Sequence, residues 1–122
     1  MCLDTTLALS YLQERNLYHL DVKPHNILYD DINTNFLISD FGTSIFYYDK
    51  SGEKQFTLKS FTRLYCSPEV LDHYDNASRL TNPVKCDIFS LGLTFLHSYL
   101  GFTNFLNLKG LNEKIDGIVK VI

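Results

Sequence analysis

The residues between Asn26 and Gly42 constrain this chain more than any others. Two short runs of strand formers, Asn26-Ile27-Leu28-Tyr29 and Phe36-Leu37-Ile38-Ser39, flank Asp30-Asp31-Ile32-Asn33-Thr34-Asn35. The segment between them has the Asn/Asp chemistry of a turn, because short polar side chains bond their own backbone and tolerate left-handed conformations. A β-hairpin folded about Asn33 is therefore expected. With that centre Asn26 lies seven residues before it and Asp40 seven after. An amide oxygen and a carboxylate then face each other at the open end of the ribbon. Just upstream stand Asp21 and Lys23, and extended backbone puts alternate side chains on one face. An acid, a cation and two hard oxygen ligands are thus expected about one point.

Such a constellation suits phosphoryl transfer. Mg²⁺ takes oxygen ligands, keeps some waters, and is held by one or two protein groups together with substrate phosphates. A free carboxylate can orient an attacking hydroxyl and take its proton, while an ammonium steadies the transferring group. The residues concerned fall in two motifs, His19-Leu20-Asp21-Val22-Lys23-Pro24-His25-Asn26 and Asp40-Phe41-Gly42. These resemble the catalytic loop and the metal-binding triplet of the eukaryotic protein kinase family. The triplet alone is weak evidence; both motifs in order, joined by a hairpin of suitable length, are strong evidence. Ser67-Pro68-Glu69 is similar to the Ala-Pro-Glu that closes the family's activation segment, although Pro68 and Glu69 also suit the first turn of any helix. Asp87-Ile88-Phe89-Ser90-Leu91-Gly92 resembles the Asp-x-Trp-Ser-x-Gly of the family's central helix, with Phe89 in place of tryptophan. The resemblance runs from Leu7 to Gly101.

The resemblance implies a mainly α fold with one small β-hairpin, the C-terminal lobe of a kinase. Residues 1–122 would be a partial protein kinase domain, from the catalytic loop through the central helix. The Gly-rich loop and the strand lysine belong to an N-terminal lobe expected upstream, and half of the adenine pocket goes with them. Asp21 would orient and deprotonate the substrate hydroxyl, and Lys23 would neutralise charge on the phosphate. Asn26 and Asp40 would hold Mg²⁺, with ATP as the phosphoryl donor and a protein as the acceptor. The family's counterpart of Thr62 bonds near the catalytic acid and lysine, and Lys23 with Thr62 points to the serine/threonine branch. Asp87 would tie the start of the central helix to the catalytic-loop backbone. Leu20 stands where most kinases carry an arginine that docks an activation-loop phosphate by bidentate contacts. Leucine cannot do so, and activation independent of phosphorylation in Thr43–Ser60 is the expectation. The arginine that pairs with the counterpart of Glu69 belongs to later helices, so an exposed part of the core and marginal stability are expected of these residues alone. The alternative is a binding or scaffold module without catalysis. A metal-dependent phosphatase built on Asp21 and Asp40 fits poorly, since two aspartates rarely complete a two-metal site and no histidine has suitable spacing.

The bulk properties narrow the rest. At 122 residues, 45% of them hydrophobic, the chain can bury one modest core. Its net charge of −3 is spread without a basic run that would follow a nucleic-acid backbone or an anionic membrane. Three widely spaced cysteines, Cys2, Cys66 and Cys86, argue against a disulfide framework or a zinc site. No signal-peptide pattern opens the chain, and Ile88 to Phe105 is too interrupted for a membrane span. A cytoplasmic or nuclear place is the expectation. Helices are expected over Thr5–Asn16, stopped by Asn16, and from Asp87 onward, the latter apolar on most sides and so buried. A long loop is expected over Thr43–Ser60, a polar connection over Asn76–Lys85, and a further amphipathic helix over Leu108–Ile122.

Overall fold

Helix α1 spans Cys2–Glu14, and Asn16 beyond it adopts a left-handed φ of 57°. Asparagine tolerates that conformation, so the expected stop is where the helix ends, while its start lies earlier than Thr5. The computed structural model describes residues 1–49 and 54–110. Expectations for residues 50–53, and for the proposed last helix beyond residue 110, lie outside the described residues. The inward face of α1 is Thr5, Leu9 and Leu12, at helical spacing. Leu3, Leu7 and Tyr11 point outward and are more than half exposed. The helix carries apolar residues on two sides, and only the Leu9 side meets the rest of the core.

Strand β1, Leu17–Tyr18, leads to a 3-10 turn at Pro24–Asn26, then to strands β2, Ile27–Asp30, and β3, Asn35–Ile38. The hairpin is antiparallel, with Ile27 opposite Ile38 and Asp30 opposite Asn35. Its four-residue turn is built by Asp30, whose Oδ1 accepts the N–H groups of Ile32 and Asn33 and whose Oδ2 accepts from the Asn33 amide. An even-numbered turn has no central residue. Asn26 is therefore level with Ser39, whose N–H donates to the Asn26 carbonyl at 2.8 Å. Asp40 lies one residue further on, which corrects the expected register. Asp40 follows the end of β3 and has a left-handed φ of 61°, so the alternation of the strand no longer sets the direction of its side chain.

Strand β4, Ile45–Phe46, pairs antiparallel with β1, Leu17 opposite Phe46. This second ribbon falls within the stretch expected to be a loop. The described part of that stretch is anchored elsewhere too. Tyr47 and Phe56 are buried, the Tyr47 hydroxyl lies 2.9 Å from the Thr81 carbonyl, and the Phe56 N–H donates to the Leu80 carbonyl. Leu20 is 7% exposed and packs in the same cluster. The position where a charge was missed is thus part of an apolar core.

Helix α2, Pro68–Asn76, opens with proline at its first position and ends on a left-handed Ala77. Helix α3, Pro83–Leu100, opens four residues before the expected Asp87. Asn82 caps it by accepting the Lys85 N–H, and Pro83 sits at a first-turn position that needs no N–H. This helix is buried on one side only. The inward face carries Cys86, Asp87, Ser90, Leu91 and Thr94, while Ile88 is 57% and Tyr99 88% exposed. Residues 102–110 are helical as well. The described chain is thus mostly helical, with two small antiparallel sheets, and no described helix is long and apolar enough to cross a membrane.

Candidate active site

The segment from His19 to Asn26 is fixed from below by Asp87. One carboxylate oxygen accepts the His19 N–H at 2.8 Å and the other the Leu20 N–H at 2.7 Å. Burial pushes the Asp87 carboxyl above its ordinary range, and the two amide bonds pull the other way. Leu20 has a φ of 65°, a conformation that costs a bulky residue about 1–2 kcal/mol. The Asp87 bond and the apolar packing of its side chain hold it there.

His19 is fully buried, and its tautomer follows from its neighbours. Nε2 lies 2.8 Å from the Ser39 carbonyl, which can only accept, so Nε2 carries the proton. Nδ1 accepts the Asp21 N–H at 3.1 Å. The ring therefore joins the 19–26 segment to the end of β3, and Phe41 packs against it edge-on at 5.1 Å. The hydroxyls of Thr43 and Ser44 both donate to the His19 carbonyl.

On the upper side stand Asp21, Lys23, Asn26 and Thr62. Lys23 Nζ donates to Thr62 Oγ1 at 2.9 Å, and Thr62 Oγ1 donates to Asp21 Oδ1 at 2.7 Å. An ammonium has no acceptor and a carboxylate no donor, so the direction of this chain is fixed. Lys23 Nζ also lies 3.6 Å from Asp21 Oδ2, with the side chains 23% and 15% exposed. The Asn26 amide donates to the Asp21 carbonyl at 2.8 Å and approaches Asp21 Oδ2 at 3.4 Å. One oxygen of Asp21 is held tightly and the other only loosely.

The profile of the protein kinase domain matches residues 1–122. The chain belongs to the protein kinase family. It is 36% identical over 101 residues to Calcium-dependent protein kinase 3 of Plasmodium yoelii yoelii, covering 80% of this chain and 17% of that protein. It is 34% identical over 100 residues to CBL-interacting protein kinase 11 of Oryza sativa subsp. japonica, covering 80% and 18%. To MAP kinase-activated protein kinase 2 of Drosophila melanogaster it is 34% identical over 110 residues, covering 85% and 27%. This kinase-family chain thus spans less than a third of the length of each of these relatives.

Asp40 stands apart from the upper group. It has a φ of 61°, its side chain is exposed, and its Oδ1 accepts the Gly42 N–H at 3.2 Å. A Cβ at Gly42 would lie 3.2 Å from that same oxygen, a tight contact that the exposed Asp40 side chain would have to ease by shifting. Four of the five expected residues, Asp21, Lys23, Asn26 and Thr62, are joined by hydrogen bonds, while Asp40 makes none to them. The roles of His19, Ser39, Thr43 and Ser44 were not legible. Each acts through backbone atoms or tautomer choice, and no spacing rule reports those.

Proposed function

We propose that residues 1–122 are part of the C-terminal lobe of a protein serine/threonine kinase that transfers the γ-phosphoryl group of ATP to a protein hydroxyl. The observation that carries this reading is the directed chain Lys23–Thr62–Asp21. It leaves Oδ2 of Asp21 with only long contacts, and a loosely held carboxylate oxygen is the one able to take a proton. Thr62 orients Asp21, and Lys23 lies close enough to place positive charge beside the reacting group. Since Thr62 contacts both lysine and acid, the serine/threonine branch is favoured.

The donor set fits Mg²⁺. The Asn26 amide nitrogen is committed to Asp21, which leaves the amide oxygen as its acceptor, and Asp40 offers an exposed carboxylate. Among the described residues no group of three or more His, Cys, Asp or Glu is placed to close around a metal. Asn26 and Asp40 would therefore supply two oxygens, with water and phosphate completing the shell. Mg²⁺ and ATP, when bound, supply the electrophilic phosphoryl group and the counter-charge for its oxygens. Asp21 then holds the acceptor hydroxyl in line and receives its proton. The test is Asp40→Asn in a form that includes an upstream nucleotide-holding lobe. Transfer to protein should be abolished while thermal unfolding and circular dichroism are unchanged; retained transfer would place the metal elsewhere.

A further inference from the structure

Below the turn that carries Thr62 lies a set of stacked rings that the reading above leaves unused. Tyr65 is 4% exposed and Phe105 fully buried. Their rings are nearly parallel, with centroids 5.6 Å apart. His97, near the end of α3, is stacked on Phe105 at 5.2 Å, and its Nδ1 lies 2.9 Å from the Tyr65 hydroxyl. Gly101, with a φ of 80°, turns the chain after α3 so that residues 102–110 return and bring Phe105 under both rings. Tyr65 is also held through its backbone, because Ser90 Oγ donates to its carbonyl at 2.8 Å. The N–H groups of Tyr65 and Cys66 both donate to the Thr62 carbonyl at 3.1 Å. Thr62 is therefore tied at its carbonyl to Tyr65 and at its hydroxyl to Asp21.

We propose that Tyr65, anchored by His97 and Phe105, is a positioning residue that holds the 62–66 turn so that the Thr62 hydroxyl bridges Lys23 and Asp21. It touches neither acceptor nor phosphate and acts only through Thr62. The physical basis is rigidity. A threonine at the start of the five-residue 62–66 turn loses its bridging geometry if the turn opens, and this turn has its hydrogen-bonded end pinned by one phenol–imidazole bond and two offset stacks. Stacked rings prefer such offset arrangements. The same contacts make the helical residues 102–110 a support for the site from the far side of α3. The inference rests on the phosphoryl-transfer reading of Asp21, Lys23 and Thr62.

Two measurements test it. In the full chain, amide hydrogen exchange is followed in Tyr65→Phe and His97→Phe, both of which keep a ring in the stack and lose the bond between them. The amides of Tyr65 and Cys66 should exchange about tenfold faster, the factor that one lost hydrogen bond carries. Those of Ile27–Asp30 should be unaffected, which shows that the fold persists. Unchanged exchange at Tyr65 and Cys66 would overturn the proposal. In the full-length enzyme, Tyr65→Phe should lower kcat about tenfold for the same lost bond with KM for ATP unaltered, and should have no further effect in a Thr62→Ala background. Independent effects of the two substitutions would show that Tyr65 does not act through Thr62. Faster exchange in an enzyme without transfer activity would overturn the phosphoryl-transfer reading alone, and the coupling of Tyr65 to Thr62 would stand.

Discussion

Two carboxylates serve the 19–26 segment, Asp21 within it and Asp87 from below, and they are held in opposite ways. Asp87 is 1% exposed, and each of its oxygens accepts a short bond from a backbone N–H that cannot move away. Asp21 is partly exposed and is held by side chains, tightly at one oxygen and loosely at the other. A dehydrated carboxylate with both oxygens engaged fixes a backbone and has no capacity left for chemistry. A partly hydrated one with a loosely held oxygen can exchange partners. The same functional group is thus structural or reactive according to what surrounds it.

The largest expected effects separate the two sides outright. Asp87→Ala leaves two buried N–H groups without acceptors, each costing about 1–3 kcal/mol, and should move the urea midpoint accordingly. Asp21→Asn should change stability by less than about 1 kcal/mol, as for other partly exposed ion pairs. In a two-lobed form it should lower phosphoryl transfer by a factor on the order of 10²–10⁴. Equal losses of stability in the two variants would erase the distinction.

A second effect is set by pH. Burial raises the folded-state pKa of Asp87 above its ordinary value. Its contribution to stability is therefore fully present below the ordinary carboxylate range and is lost as pH rises through the folded value. Asp30, partly exposed at the hairpin turn, has its carboxyl lowered, first by the Asn33 side-chain bond. Its contribution is present above the ordinary range and is lost as pH falls through the folded value. Urea midpoints followed against pH should show the first slope removed by Asp87→Asn and the second by Asp30→Asn. The same slopes in wild type and both variants would refute the assignment.

The smallest effect concerns the thiols. Burial pushes Cys86 up to about 11 and raises Cys66 as well, whereas Cys2 is exposed. At neutral pH an alkylating reagent should label Cys2 alone in the folded chain, since the thiolate is the reactive form. In Asp87→Ala, where α3 loses its tie to the loop, mass mapping should find Cys86 labelled too. Rapid labelling of Cys86 in the wild type would mean that the region below the loop is looser than the buried contacts imply.

Much of the candidate site was legible because its determinants are local. The Asp30–Asn33 side-chain bonds that close the hairpin are turn chemistry. Asp21 and Lys23 stand two residues apart, and Lys23 itself is extended, with φ −161° and ψ 164°. The register was one residue off because the pairing depends on whether the turn has an odd or even count, and Asp30 decided that by capping two N–H groups at once. Helix α3 was misjudged for a different reason. Its sequence is apolar on most sides, yet its inward face is largely polar, with Ser90 donating to the Tyr65 carbonyl and Thr94 to the Ser90 carbonyl. Hydrophobic periodicity cannot find a face that is buried through hydrogen bonds.

The sequence by itself determined the hairpin, the helix starting at Pro68 and the family to which the chain belongs. Neighbouring residues impose these through turn propensity, fixed proline φ and motif spacing. The family resemblance implied Thr62 near the acid and Asp87 at the loop backbone, and only the tertiary structure decided which bonds hold Asp21. Thr62 reaches it across 41 residues and Asp87 reaches the Leu20 N–H across 67. Contacts at such separations depend on which helix face turns inward, and that choice belongs to the whole packed chain. The reactivity of a carboxylate follows from its burial and its partners, so it was settled only when those distant groups came together.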